Sequence, residues 1–168
     1  MRASGSVEAA APTVRVVGFF RRAAAGLVDG AILTAVFVVL DVLVSLVLRQ
    51  PLPRLSQLGP DYLLDLAASG DALGQIGLLL FAIVAFLYFF TFYALRGQTP
   101  GKRLVRARVI DAYGRRPSLG RALVRTLAYA PSLLLLALGF FWIGFDREKR
   151  GLHDWLADTY VIADGGAK

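Results

Sequence analysis

GLVDGAILTAVFVVLDVLVSLVL, residues 26–48, is an apolar run of 23 residues interrupted only by Asp29 and Asp41. As an α-helix rising about 1.5 Å per residue it is roughly 34 Å long, enough to cross a hydrocarbon core of about 30 Å. A carboxylate near the middle of such a helix costs on the order of 3 kcal/mol to insert, so each aspartate needs shelter. Gly26 and Gly30 flank Asp29 in the small-xxx-small spacing that lets a second helix approach closely. Asp29 is therefore expected to face protein or a watery crevice, and Asp41 to snorkel toward the far interface.

The rest of the chain fits this setting. Of its 168 residues 57% are hydrophobic and mean hydropathy is +0.60, and the excess is gathered into three blocks rather than spread. The formal charge is +7, but the positive residues lie beside apolar spans, which points to anionic lipid headgroups as partner and away from nucleic acid. With no cysteine, disulfides and thiol chemistry are excluded. Residues 1–14 are small and polar without periodicity and read as a disordered tail; residues 164–168 read as a second tail. The first apolar run is too long for a signal-peptide core, so it reads as an uncleaved anchor.

Arg21 and Arg22 stand just before the run, suited to hold the helix start at cytoplasmic headgroups, with Phe19 and Phe20 at the interface. Arg22 and Asp29 are seven apart and share a helix face, though roughly 10 Å apart along the axis. Residues 49–73 carry Pro51, Pro53 and Pro60 and three aspartates against two arginines, which suits the outer side. The LSQLGPDYLLDLAA stretch within them reads as a short interfacial helix. Gly74 to Leu95 is the second span, its latter half rich in aromatics that read as packing and anchoring.

From Arg96 to Arg125 nine Lys/Arg face a single acid, Asp111, which places this segment in the cytoplasm. Gln98–Gly101 reads as a turn. In LVRARVI, Val105, Ala107 and Val109 alternate with Arg106 and Arg108, the period of a strand with one charged face. A turn follows around Gly114, and Ser118 is a candidate N-cap for a helix with Arg121 and Arg125 at i,i+4. Lys102, Arg103, Arg106, Arg108, Arg121 and Arg125 form the expected headgroup-binding set.

The third block, Leu127 to Phe145, is interrupted by Pro131 and Gly139, and its uninterrupted part is short for a crossing. A full crossing would also put Arg147, Lys149 and Arg150 outside. A broken or re-entrant segment resolves both problems and returns the C-terminus to the cytoplasm, where Thr159–Ile162 can pair with the strand at 104–110. The expected fold is an all-α integral membrane protein: two full transmembrane helices, a third broken or re-entrant segment, and a small cytoplasmic β element.

Three stretches together resemble the RDD family of bacterial membrane proteins. They are the Arg21-Arg22-x-x-x-Gly26-x-x-Asp29 entry, TPGKRLVRARVID at 99–111, and FDREKRGLHDWLADTYVI at 145–162. The resemblance covers residues 15–163. It maps the family arginine onto Arg22, with Arg21 as the alternative, and the first aspartate onto Asp29. The second aspartate maps onto Asp146, with Asp154 as the alternative. Trp155 departs from the family, where a basic residue is common, as does Asp158, where glycine is common. The resemblance implies a bacterial inner-membrane protein with a cytoplasmic N-terminus. It also implies a transport role, cation/proton exchange among the options.

No enzyme constellation is present: no phosphate-binding loop, no nucleophile elbow, no His-Glu-x-x-His. A non-enzyme without cofactor or metal site is expected, and His153 reads as structural. Two functional readings remain. In the first, an oligomer associated through a face such as Gly26/Gly30 transports a small ion or solute, with Asp29 as the exchangeable site. There an acid of the C-terminal motif, Asp146 or Asp154, orders the basic strand or pairs with Arg22 and gates access to Asp29. In the second, the chain is a non-catalytic membrane adaptor that binds anionic lipid or a partner protein.

Overall fold

The computed structural model describes residues 15–49, 68, 72–134, 143, 146 and 148–164. The expected tail at 1–14, the interfacial helix expected at 55–68 (Ala68 apart), and most of the third apolar block after Leu134 lie outside them.

Helix α1 runs Phe19–Leu48, beginning seven residues before the apolar run, so Arg21 and Arg22 lie in its first turn. Gly18 precedes it in extended conformation, and Arg49 ends it in the left-handed region. Its buried positions are Arg22, Ala25, Asp29, Leu33 and Phe37, the three- and four-residue steps of one helix face, and Ser45 further along. Helix α2, Ala72–Arg96, is the second long helix. In the most apolar windows of the two, only 17% and 6% of residues are buried. A core helix of a soluble protein is mostly covered, whereas two long helices with apolar flanks laid open belong in lipid.

Gly97 reverses the chain after α2. Its φ of +66° is open to glycine, and a Cβ there would come within 2.9 Å of the Val109 carbonyl oxygen. The expected turn at Gln98–Gly101 is instead the start of a short helix, α3, Pro100–Leu104. Thr99 caps it, its hydroxyl accepting from the Lys102 N–H, and Pro100 takes the first helical position where no donor is missed. Strand β1 is Ala107–Asp111, shorter at its start than the sequence alternation because Leu104 ends α3 and Arg106 turns with φ of +51°.

Helix α4, Leu119–Leu127, starts at the predicted cap, with the Ser118 hydroxyl accepting from Arg121 N–H. Ala128 separates it from α5, Tyr129–Leu134. Helix α6 is Leu152–Leu156 and strand β2 is Thr159–Ala163. Between them Asp158 adopts φ of +49°, a conformation that glycine takes without penalty and that aspartate tolerates. That is the physical reason glycine suits this position.

The two strands pair antiparallel as expected, with Val109 opposite Val161 and Asp111 opposite Thr159. The segment before α1 extends the sheet: Val17 N–H donates to Val161 O at 2.9 Å, and Ala163 N–H to Arg15 O at 2.9 Å. Pairing continues past β2, since Asp164 N–H donates to Arg106 O at 2.8 Å. The core lies at this end of the long helices, where Val17, Tyr93, Ala107, Val109, Ala122 and Val161 are buried together. The start of α1, the end of α2 and both strands therefore share one end of the structure.

Candidate functional site: two buried carboxylates joined by a short helix

Asp29 is 1% exposed although it sits in a long apolar helix. Tyr88 of α2 donates its hydroxyl to Oδ1 at 2.9 Å. The Thr99 hydroxyl donates to Oδ2 at 2.5 Å, and the Gly101 N–H to Oδ1 at 2.8 Å. The last two come from α3 and its cap, which lies flat against α1. Gly101 makes that approach possible: a Cβ there would collide with the Ala25 carbonyl oxygen and stand 2.8 Å from the Asp29 carboxyl carbon. Asp29 is thus sheltered by protein, as the insertion cost requires. The close neighbour is Gly101, while Gly26 and Gly30 have open space around them.

The second carboxylate is Asp154, fully buried on α6. Arg22 Nη1 pairs with its Oδ2 and Arg125 Nη1 with its Oδ1. Its Oδ2 also accepts from Gly151 N–H at 2.9 Å, so the acid reaches back to close the start of its own helix. Arg125, likewise fully buried, donates further to the Thr159 hydroxyl at 2.6 Å, and Arg22 Nε to Val17 O at 2.9 Å. Burial alone pushes the Asp154 carboxyl up; the guanidinium of Arg125, with help from Arg22, overcomes it and holds the group well below the usual carboxylate range. Burial pushes the neighbouring His153 down to about 3, against the pull of Asp154, so its imidazole is neutral at physiological pH.

Lys102 joins the two centres. Its N–H donates to the Thr99 hydroxyl, and its Nζ donates to the Tyr93 hydroxyl at 2.9 Å. The Tyr93 hydroxyl meets that of Tyr129 at 2.5 Å, and Arg125 lies over the Tyr93 ring 5.0 Å from its centre. Contacts therefore lead from residue to residue, from Asp29 through Thr99, Lys102 and Tyr93 to Arg125 and Asp154.

The contacts sort the expected site residues. Asp146, the first choice for the second acid, closes a local turn by accepting from Arg150 N–H at 2.8 Å; Asp154 is the acid that meets Arg22. Arg21, the alternative to Arg22, is exposed and donates to Val105 O at 2.5 Å, tying α1 to the end of α3. The headgroup-binding set divides. Lys102 and Arg125 are turned inward, because α4 buries the face carrying Ala122, Arg125 and Thr126 and Asp154 compensates the charge. Arg121 pairs with Asp111 and Asp158, both at 3.2 Å, and Arg108 with Asp164 at 3.2 Å. Arg103 and Arg106 remain exposed.

Sequence reading missed Tyr88, Thr99, Gly101 and Tyr93. Thr99-Pro100-Gly101 carried a usable signal, since a Thr cap before Pro at the first helical position marks a helix start. No group of three His, Asp or Glu side chains among the described residues is arranged to hold a metal.

Residues 16–158 match the model of the RDD family. The chain is 38% identical over 76 residues to Uncharacterized protein RP437 of Rickettsia prowazekii (strain Madrid E), covering 45% of this chain and 42% of that one. It is 34% identical over 86 residues to Uncharacterized protein YxaI of Bacillus subtilis (strain 168), covering 51% and 56%. The matches thus span about half the length of these curated relatives. No solved structure matches. With the family match covering most of the chain, the protein belongs to the RDD family of membrane proteins.

Proposed function

We propose that the chain contributes to transport of a small ion, proton or cation, across the bacterial inner membrane, with Asp29 as the exchangeable site and α3 as its gate. The observation that carries this reading is that Asp29, in the first half of α1, is covered by the Thr99–Gly101 segment, which belongs to neither long helix. As a carboxylate, Asp29 accepts all three donors. Once protonated it loses its charge, so the bonds from Thr99 and Gly101 that hold α3 lose their charge assistance and weaken. Proton or cation exchange at Asp29 is thereby tied to release of α3.

The reading has both termini in the cytoplasm. It is supported by the pairing of Val16–Val17, β1 and β2 at one end, together with the nine Lys/Arg between Arg96 and Arg125. A third segment that re-enters rather than crosses fits that arrangement. Two long helices enclose no sizeable pathway, so the transporter is a homo-oligomer or works with another membrane protein. The Gly26/Gly30 face, open in the single chain, is the surface for close helix approach. Neither an enzymatic step nor a cofactor enters this reading.

A second reading, a membrane adaptor that binds anionic lipid or a partner, draws on the full hydrogen-bonding of Asp29 and the double pairing of Asp154, which suit acids that only secure the fold. Flux into proteoliposomes separates the two. Transport predicts ion- or proton-coupled flux that disappears in Asp29→Asn while insertion and oligomeric state persist. Absence of flux in the parent protein, or flux unchanged in the variant, sinks the transport reading.

A further inference from the structure

Phe92, Arg96, Gln98, Thr99, Pro100 and Arg103 line a cavity of about 210 Å³ between the end of α2 and α3. Arg96 is the last residue of an apolar helix long enough to span, so the cavity lies where hydrocarbon gives way to headgroups. Several of the other arginines are already engaged. Arg22 and Arg125 are spent on Asp154, Arg121 on Asp111 and Asp158, Arg108 on Asp164, and Arg116 on the Leu95 carbonyl. Arg96 and Arg103 are exposed and make no ion pair or side-chain hydrogen bond among the described residues. Among the described residues no acid lines the cavity, and the buried Gln98 Oε1 beside them has no hydrogen-bond partner.

We propose that this cavity binds the phosphate of an anionic phospholipid. Two arginines can grip a phosphodiester through charge-assisted hydrogen bonds, and their fork geometry suits its oxygens. Gln98 Oε1, an acceptor, is suited to a hydroxyl of the glycerol headgroup. The ring of Phe92 and the ring of Pro100 supply an apolar wall for the start of the acyl chains. The excess of two positive charges favours a lipid with net negative charge over a zwitterionic one, and the location at the span end favours a lipid over a soluble ion.

The test is native mass spectrometry of the detergent-purified protein titrated with phosphatidylglycerol, phosphatidylcholine or inorganic phosphate. One tightly retained phosphatidylglycerol per chain is expected. Arg96→Gln and Arg103→Gln should each weaken its retention about fivefold, and Arg15→Gln, which removes one charge at the same end away from the cavity, should leave it unchanged. Both cavity arginines are exposed, so folding is checked by circular dichroism and expected to persist. Equal weakening by all three variants would reduce the effect to general charge attraction and overturn the site. Equal retention of phosphatidylcholine, or inorganic phosphate competing at similar concentration, would overturn the assignment to an anionic lipid.

Discussion

The Thr99 hydroxyl donates to Asp29 Oδ2 at 2.5 Å while accepting from Lys102 N–H at 3.2 Å. One oxygen atom both caps α3 and fastens it to the buried carboxylate of α1. Thr99→Val keeps the shape and removes both bonds. We expect a loss of about 1–3 kcal/mol, since a buried acceptor loses a partner and the cap is lost. Thermal unfolding in detergent measures it, and proteolysis near Arg103 should become faster.

Gly101→Ala should be at least as damaging, although it adds only a methyl group. The new Cβ meets backbone at Ala25, which cannot swing aside as a side-chain tip would, so α3 must lift from α1. A cost of roughly 1–3 kcal/mol is expected, accompanied by exposure of Asp29. Gly26→Ala and Gly30→Ala, each with open space, should leave the isolated chain's stability within about 0.5 kcal/mol. An oligomer built on that face would respond to these two instead.

Asp154→Asn and Asp146→Asn form a matched pair. The first leaves Arg22 and Arg125 buried without their counter-charge, for which a loss of about 3–5 kcal/mol is expected. The second removes one acceptor from a turn and should cost under about 1 kcal/mol. Equal effects in chemical or thermal unfolding would contradict the assignment of Asp154 as the acid that secures the arginines.

Stability should fall on acidification through His153. His153 takes up a proton near pH 6.5 when unfolded but only near 3 when folded, because burial disfavours the imidazolium. Between these values the unfolded chain holds one proton more, so stability declines as pH falls, by about 1.4 kcal/mol per unit. Asp154 is depressed as well, so its contribution is present above the unfolded carboxylate range and is lost only as pH drops through its lower folded value. His153→Phe, which keeps a ring against Tyr129, should flatten the dependence between pH 6.5 and 4. An unchanged slope would place the sensitivity elsewhere.

Local chemistry made much of this legible. Unbroken apolar length marked α1 and α2, because a bilayer sets a length that soluble helices seldom reach without charge. Alternation marked β1 through Ala107 and Val109, and Ser118 marked the start of α4. Even the pairing of β1 with β2 followed, since two β-type runs on one side of the membrane each need a partner.

What the chain alone determined, then, is a membrane setting, the order of the two long helices and the two strands, and a sheltered acid at position 29. The tertiary structure decided the rest. Arg22 meets Asp154 across 132 positions, and Asp29 meets Gly101 across 72. Periodicity reports which face a residue takes on its own helix, not which distant residue that face will meet. Lys102 and Arg125 read as exposed cations for the same reason: a charge is tolerated inside only when a partner neutralises or solvates it, and the partners Tyr93 and Asp154 are brought alongside by the fold.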